Sequence, residues 1–230
     1  MLFRQLFDAE SSTYTYLVAD EAARKAVLID PVAGGLDAYL RLLGELNLTL
    51  VYAVDTHVHA DHVTALGMLR ERTGCATVLG AGAEVACVTQ TLRDGESLHF
   101  GALSLRAIAT PGHTIESFSF AMEDRVFTGD TLLIRGTGRT DFQNGDAYAQ
   151  YESLFHKLLK LPDETLVYPG HDYKGWTVST IGEEKAHNPR LQVASAEAYA
   201  ALMNGLHLPT PRLMDVAVPA NRACGNRMTA

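Results

Sequence analysis

Five of the nine histidines stand beside aspartate, glycine or proline at the ends of strand-like segments. Residues 56–62, THVHADH, follow an apolar run that ends one residue earlier, before Asp55, and contain three histidines and one aspartate. His113 lies in TPGHT, His171 in YPGHDY and Asp130 in FTGDTL. Imidazole and carboxylate groups together suit zinc, iron or manganese, and the absence of neighbouring cysteines argues against a thiolate site. These residues therefore predict a metal centre.

The spacing of the residues within 56–62 predicts where their side chains point. Because residues two apart in an extended chain face the same way, His57 and His59 are expected to point to one metal ion. Asp61 and His62 are expected to turn towards a neighbouring one. The alternatives are that Asp61 caps a helix by accepting hydrogen bonds from its free N–H groups, and that His62 lies on the first helical turn. The other three site residues follow glycine and could instead be turn residues, but their coincidence favours the metal.

The elements expected to position these side chains alternate between strand and helix, which indicates an α/β fold. Two successive strand-rich stretches, each accompanied by helices, predict two sheets packed face to face with helices outside, a four-layer αββα sandwich. No low-complexity linker divides the chain, so a single domain over residues 1–230 is predicted, with a tail from about residue 208 packing on it. The predicted strands are 13–20, 25–32, 48–57, 75–80, 97–101, 103–114, 117–123, 125–133 and 164–171, and the predicted helices are 36–47, 61–74, 146–161 and 195–206.

Composition excludes several classes of function. The hydrophobic fraction of 47% is sufficient for a sizeable core, and the net charge of −8 without a basic cluster argues against binding to nucleic acid or an anionic membrane. No apolar run approaches the roughly 20 residues that span a bilayer, and a cytoplasmic location is expected. Three cysteines, Cys75, Cys87 and Cys224, form no close pairs in sequence, which predicts reduced thiols, with Cys224 a small buried hydrophobe.

The motifs HVHADH, TPGHT, TGD and PGH, in this order and spacing, resemble the metallo-β-lactamase superfamily. The resemblance implies the αββα fold with metal between the two sheet edges. In the dinuclear zinc members, such as the glutathione thioester hydrolase glyoxalase II, two Zn(II) per chain are bound. The matching ligands here are His57, His59, His113 and Asp130 for the first ion, and Asp61, His62, His171 and bridging Asp130 for the second.

Three longer stretches, residues 129–146, 169–191 and 215–225, resemble the persulfide dioxygenase branch of that superfamily. That resemblance implies oxidation of glutathione persulfide by O2 and water to sulfite and glutathione, in sulfide detoxification. One Fe(II) per chain would be held by three protein ligands, which leaves three octahedral positions for the persulfide sulfur and O2. The implied ligands are His57, His113 and Asp130, and the residues implied to line the site or hydrogen-bond to those ligands are His59, Asp61, His62 and His171.

The glutathione carboxylates need cationic donors, and the planar fork of arginine binds a carboxylate through two hydrogen bonds. By resemblance, Arg139, Tyr173 and Arg190 contact glutathione. Their alternative roles are structural salt bridges for the arginines and packing for the tyrosine. Thr137 stands where some relatives carry cysteine, so no thiol is expected to take part in the chemistry at that position.

Two other functions compete with the dioxygenase. A dinuclear zinc glutathione-thioester hydrolase would use all seven ligand residues and activate a bridging hydroxide, and a lactonase would use the same chemistry. A non-catalytic metal-binding protein would hold a metal without turnover. The chain lacks an obvious rhodanese-like extension, so a separate rhodanese-type sulfur donor is expected as a partner, and a homodimer is a further expectation.

Overall fold

The computed structural model describes residues 1–85, 87–206, 208–209 and 213–225. The chain divides into two compact units. The first comprises residues 1–92, 97–105 and 210–230, and the second comprises residues 93–96 and 106–209. The single domain expected for residues 1–230 therefore stays a prediction. None of the described helices combines the length and apolar character needed to cross a bilayer.

The first unit contains a six-stranded mixed sheet whose strands follow chain order from one edge to the other. Its first three strands are antiparallel and joined by short turns, whereas the last four run parallel and need crossover connections. Two of these crossovers contain helices α1 (Leu36–Glu45) and α2 (Leu66–Thr73). The strands are β1 (Leu2–Asp8), β2 (Thr13–Asp20), β3 (Lys25–Ile29), β4 (Thr49–Val54), β5 (Ala76–Gly80) and β6 (Gln90–Leu92).

Helix α2 begins at Leu66, five residues later than predicted. Its N-cap is Ala65, and the carboxylate of Asp61 lies instead 2.9 Å from the imidazole Nδ1 of His62. The interpretation of Asp61 as a helix cap, and of His62 as a first-turn residue, is therefore wrong. Residues 56–62, hereafter the histidine segment, form an irregular loop between β4 and α2.

The C-terminal part of the chain contains a helix that the sequence did not predict, α6 (Met214–Arg222), which includes Pro219. It packs in the first unit, where Ala217 is fully buried. Beyond it, Cys224 is bonded to Cys87, so the prediction of reduced thiols is wrong for this pair. Cys75 is free and buried. Residues 210–212 and 226–230 of the predicted tail lie outside the described residues.

The second six-stranded sheet also follows chain order, and β10 (Arg125–Gly129) and β11 (Leu166–Pro169) form a parallel pair in it. The boundary between the two units falls within β8 (Leu103–Ala109). The helices of the second unit bury Leu154, Ile181 and Tyr199 in an apolar cluster with Val126 and Val167. The strands are β7 (Ser97–Phe100), β8 (Leu103–Ala109), β9 (Phe118–Ala121), β10 (Arg125–Gly129), β11 (Leu166–Pro169) and β12 (Ser179–Thr180), and the helices are α3 (Ala147–Phe155), α4 (Ile181–His187) and α5 (Ala196–Asn204).

Candidate metal centre

The predicted ligands fall into two groups, one in each unit. In the first unit, Asp30 follows β3 and anchors the start of the histidine segment. Its buried carboxylate accepts hydrogen bonds from the backbone N–H of Thr56 at 2.7 Å and from the Thr56 hydroxyl at 3.0 Å. The same carboxylate lies 3.3 Å from Nε2 of His59. The segment is thereby tied to the end of the neighbouring strand.

The three imidazoles of the histidine segment lie together. The ring centroids of His57 and His59 are 4.2 Å apart, and those of His59 and His62 are also 4.2 Å apart. All three side chains are buried. The bends of the loop produce this proximity, whereas the sequence prediction assumed extended chain.

The donor atoms of this group fit a metal ion. Carboxylates that hydrogen-bond the second ring nitrogen of a histidine ligand fix the direction of the ring, and Asp30 is placed to do this for His59. Nδ1 of His59 is buried and has no hydrogen-bond partner among the described residues. A buried nitrogen without a partner is unfavourable unless it binds something. Ligand atoms of His59, Asp61 and His62 lie within 4.8 Å of one another, as those of a metal site do.

Burial and neighbouring charges both shift the pKa values of His59 and Asp55. Burial lowers the pKa of His59, but the hydrogen bond to Asp30 and the charges of Asp30, Asp55 and Asp61 outweigh it and raise the pKa to about 9. Burial raises the pKa of Asp55 to about 7, with the charge of Asp30 adding to the shift and that of His59 opposing it. Without metal, the cluster therefore retains protons that a bound cation would displace.

We expect the metal-free protein to lose stability as the pH rises from 6.5 to 9. The unfolded chain releases the His59 proton near 6.5 and the folded chain near 9, so protonated His59 stabilises the fold fully below 6.5. That contribution disappears as the pH passes about 9. The expected loss is roughly 3 kcal/mol, measured by urea unfolding in the presence of a chelator. The variant His59→Gln should lose much less over the same range, and equal slopes would contradict the assignment.

In the second unit, His113 and His171 hold the predicted carboxylate ligand Asp130 between them. Nδ1–H of His113 donates to the carbonyl oxygen of Arg139 at 2.7 Å, which leaves Nε2 with its lone pair 3.6 Å from Oδ2 of Asp130. Nδ1 of His171 lies 2.6 Å from Oδ1 of Asp130. Two ligands bonded at about 2.1 Å to one ion have a similar separation, so His113 and Asp130 are arranged as a pair of ligands.

The backbone next to Asp130 leaves no room for a side chain at position 138. The N–H of Gly138 donates to the carbonyl oxygen of Asp130 at 2.6 Å. A Cβ atom at position 138 would lie 2.1 Å from that oxygen and 3.0 Å from the ring of His113. The glycine therefore lets one short turn support both ligands.

The guanidinium of Arg139 is occupied by its own chain. It donates two hydrogen bonds to the carboxylate of Asp141, at 2.6 and 2.8 Å, and others to the carbonyl oxygens of Leu208 and Pro209. It also lies 4.4 Å from the centre of the Phe142 ring. These contacts match the structural alternative considered for this residue. A contact of Arg139 with glutathione stays a prediction.

Arg190 is a cation without a matching acid. Its guanidinium donates to the carbonyl and hydroxyl oxygens of Thr137, and it has no carboxylate partner within the described part of the chain. Burial lowers its pKa. Tyr173 is 73% exposed, and its ring stacks parallel to that of His171 at 6.0 Å. An arginine desolvated without a counter-charge suits an anionic ligand.

Sequence reasoning missed several residues that shape the site. Asp30 follows the apolar strand AVLI in the same way that Asp130 follows β10, and this pattern was the available signal. Thr13 lies 3.3 Å from both Oδ2 of Asp61 and Nδ1 of His62, but nothing in its local sequence distinguishes it. Asn221 lies in the proline-bearing tail and contacts the histidine segment from more than 150 positions away.

Comparison with known proteins gives consistent results. The model of the metallo-beta-lactamase superfamily matches residues 9–171. A human protein named persulfide dioxygenase ETHE1, mitochondrial, is 47% identical over 232 residues, which covers 98% of this chain and 89% of the human one. The crystal structure of ETHE1 from Myxococcus xanthus shares 57% identity at a TM-score of 0.96 and covers 98% of this chain and 100% of that one. TTHA1623, crystallised in a di-iron-bound form, shares 28% identity at a TM-score of 0.67, covering 81% and 98% of the two chains.

Proposed function

This chain belongs to the metallo-beta-lactamase superfamily, and from that membership we propose that it oxidises glutathione persulfide with O2 and water to sulfite and glutathione. The single observation that carries the reaction is similarity to persulfide dioxygenases over nearly the whole chain. The same similarity confirms the predicted persulfide dioxygenase branch and the predicted metallo-β-lactamase fold. The proposal adds that glutathione carries the persulfide and that the metal is iron.

The proposed ligands of one Fe(II) per chain are His57, His113 and Asp130. The support for His113 and Asp130 is their donor geometry, with Nε2 and Oδ2 3.6 Å apart. The support for His57 is that Nδ1 lies 3.0 Å from the Thr56 hydroxyl, a contact that orients the ring. Fe(II), when bound by three ligands, supplies open positions where the persulfide sulfur and O2 can meet and electrons can pass between them.

The remaining polar residues are proposed to orient Asp130 and the other imidazoles of the site. His171 engages Oδ1 of Asp130, so Oδ2 remains directed towards Nε2 of His113. Asp30 orients His59, and Asp61 orients His62. Carboxylates that hydrogen-bond to imidazole rings in this way raise the basicity of the rings and fix their direction.

The proposal is tested by O2 uptake from protein loaded with Fe(II) under anaerobic conditions. Addition of glutathione persulfide should cause rapid O2 consumption with a matching amount of sulfite in the same sample. The variant His113→Ala should lose both signals. No uptake from protein shown to contain iron would refute the dioxygenase and direct attention to thioester hydrolysis by the zinc-loaded form.

Arg190 is proposed to bind a carboxylate of glutathione, because it is desolvated and has no acidic partner among the described residues. The variant Arg190→Gln should raise KM for glutathione persulfide by about tenfold and change kcat much less, since one charge-assisted hydrogen-bonded pair contributes roughly 1.5–3 kcal/mol. Steady-state O2 uptake at varied substrate measures both constants. Arg106→Gln removes an exposed arginine of β8 and serves as the matched control. An unchanged KM for Arg190→Gln would exclude the contact.

A dinuclear hydrolase is the second candidate, because the ligand atoms of His59, Asp61 and His62 also lie within reach of one ion. Two bound Zn(II) and turnover of a glutathione thioester would favour it. The cytoplasmic location, the separate rhodanese-type sulfur donor and the homodimer are also proposals. Cell fractionation, coupled assays with such a donor and measurement of molar mass in solution would test them.

A further inference from the structure

Asn221, in the last turn of α6, holds the backbone of the histidine segment. Its side-chain N–H2 group donates to the carbonyl oxygen of His59 at 2.9 Å and to that of His62 at 2.8 Å. Its side-chain oxygen accepts from the backbone N–H of Thr64 at 2.9 Å. The side chain is 3% exposed. One buried amide therefore makes two hydrogen bonds to the segment that carries four predicted metal-site residues, and a third to Thr64 just beyond it.

The segment that contains Asn221 is itself fixed at several points. Residues 221–225, hereafter the C-terminal clamp, include Cys224, which is bonded to Cys87. The carbonyl oxygen of Cys224 accepts from the N–H of Gly67 at 2.8 Å. Gly225 has a φ of +75°, and a Cβ atom there would lie 1.9 Å from the carbonyl oxygen of Thr64. The clamp is thus joined covalently to residue 87 and packed against the loop before α2.

The hydrogen bonds of Asn221 supply donors to buried carbonyl groups of the histidine segment. The histidine segment belongs to neither a helix nor a strand, so its buried carbonyl groups need donors from elsewhere in the chain. A carboxamide offers two donors and an acceptor within one plane, which no apolar side chain of similar size can replace. Because these bonds fix the backbone at His59 and His62, they also fix where the two imidazoles point.

We propose that Asn221 is a positioning residue for metal binding, and that the Cys87–Cys224 disulfide holds it against the histidine segment. This inference rests on the proposed metal centre, where His57 is an iron ligand and His59 and His62 either line the site or, as in the dinuclear candidate, bind a second ion directly. Loosening the clamp lets the backbone at His59 and His62 relax, so metal affinity falls although every ligand side chain is still present. Partners that orient metal ligands from outside contribute roughly 10- to 100-fold to affinity.

The test compares Zn(II) and Co(II) affinities of full-length variants, measured by competition with a chelator, together with Co(II) absorption spectra and unfolding temperature. Asn221→Asp keeps the shape and removes the donors, and Asn221→Ala removes the side chain. Both should bind metal roughly 10- to 100-fold more weakly, with an altered Co(II) spectrum. Cys87→Ser should give a smaller loss in the same direction. Asn204→Asp, the same change at an exposed position of α5, should bind as the wild type does.

The outcomes separate this inference from the proposed function. If Asn221→Asp folds and binds metal with wild-type affinity and spectrum, the inference is wrong, even if its unfolding temperature falls. If neither Asn221 variant folds, Cys87→Ser decides, since it leaves the amide in place, and an unchanged affinity would overturn the inference. Wild-type protein that binds no metal would instead refute the metal centre itself.

Discussion

Replacing Asp130 with alanine should leave a folded protein that no longer retains iron or oxidises persulfide. Asp130 supplies the only carboxylate of the proposed iron ligands and lies between His113 and His171. Its loss removes the negative charge that offsets the cation and the carboxylate oxygen that lies 2.6 Å from Nδ1 of His171. Outer partners of ligands contribute roughly 10- to 100-fold to metal affinity, so loss of a ligand should exceed about 100-fold.

The measurement is iron content after dialysis, combined with O2 uptake and sulfite formation on glutathione persulfide. Asp124→Ala is the matched control, because Asp124 is an exposed carboxylate that pairs with Arg125 at the other end of β10. It should keep its iron and its rate. A protein carrying Asp130→Ala that retained iron and turned over persulfide would remove Asp130 from the metal centre.

Replacing Glu184 with alanine should destabilise the protein by about 3 kcal/mol or more. Its fully buried carboxylate accepts hydrogen bonds from the backbone N–H of Arg135 at 2.9 Å, from the hydroxyl of Ser179 at 2.6 Å and from the side-chain amide of Asn188 at 2.8 Å. It also pairs with the Arg135 guanidinium. Removing it leaves the largely buried Arg135 guanidinium with only the more exposed Glu183 as an ion-pair partner, and removes an acceptor of Ser179 and Asn188. Breaking a buried pair in this way is among the most damaging single changes.

Replacing Glu184 should also disturb the metal centre. Asn188, one of the donors to Glu184, holds the carbonyl oxygens of Leu133 and Gly136 in the turn that precedes Gly138. Unfolding in urea measures the stability change, and the rate per bound iron measures the effect on the site. Glu183→Ala is the control, since Glu183 is 40% exposed and its pair with Arg135 should contribute less than about 1 kcal/mol. Equal effects of the two substitutions would contradict the central role of Glu184.

The sequence was most informative where polar residues follow strands. The motifs containing His113, Asp130 and His171 could be placed at strand ends because glycine or proline ends β10 and β11 and closely follows β8. The start of α2 could not be placed, because Asp61 is as suitable for capping a helix as for contacting His62. That choice depends on where the His62 side chain lies in the folded protein, which the local sequence does not specify.

Elements without a clear local pattern, and contacts between residues far apart in the sequence, could not be predicted either. The strand β1 mixes charged and apolar residues along an edge, so no clear alternation marked it. Cys87 and Cys224 are 137 positions apart, and only the packing of α6 brings them together. The same packing delivers Asn221 to the histidine segment. Residues that act by holding a backbone carry no motif, because any loop carbonyl can be their target.

The Cys87–Cys224 bond also makes the chain a covalent ring in which the whole of residues 106–209 is enclosed. A protease that cuts once anywhere inside that ring produces a nicked protein that is heavier by one water and still a single covalent molecule, and two fragments appear only after reduction. The ring also restricts the unfolded chain, because closing a loop of this length removes roughly 4–5 kcal/mol of conformational freedom from it. Damage to an exposed loop of the second unit would therefore leave one molecule, able to refold as one.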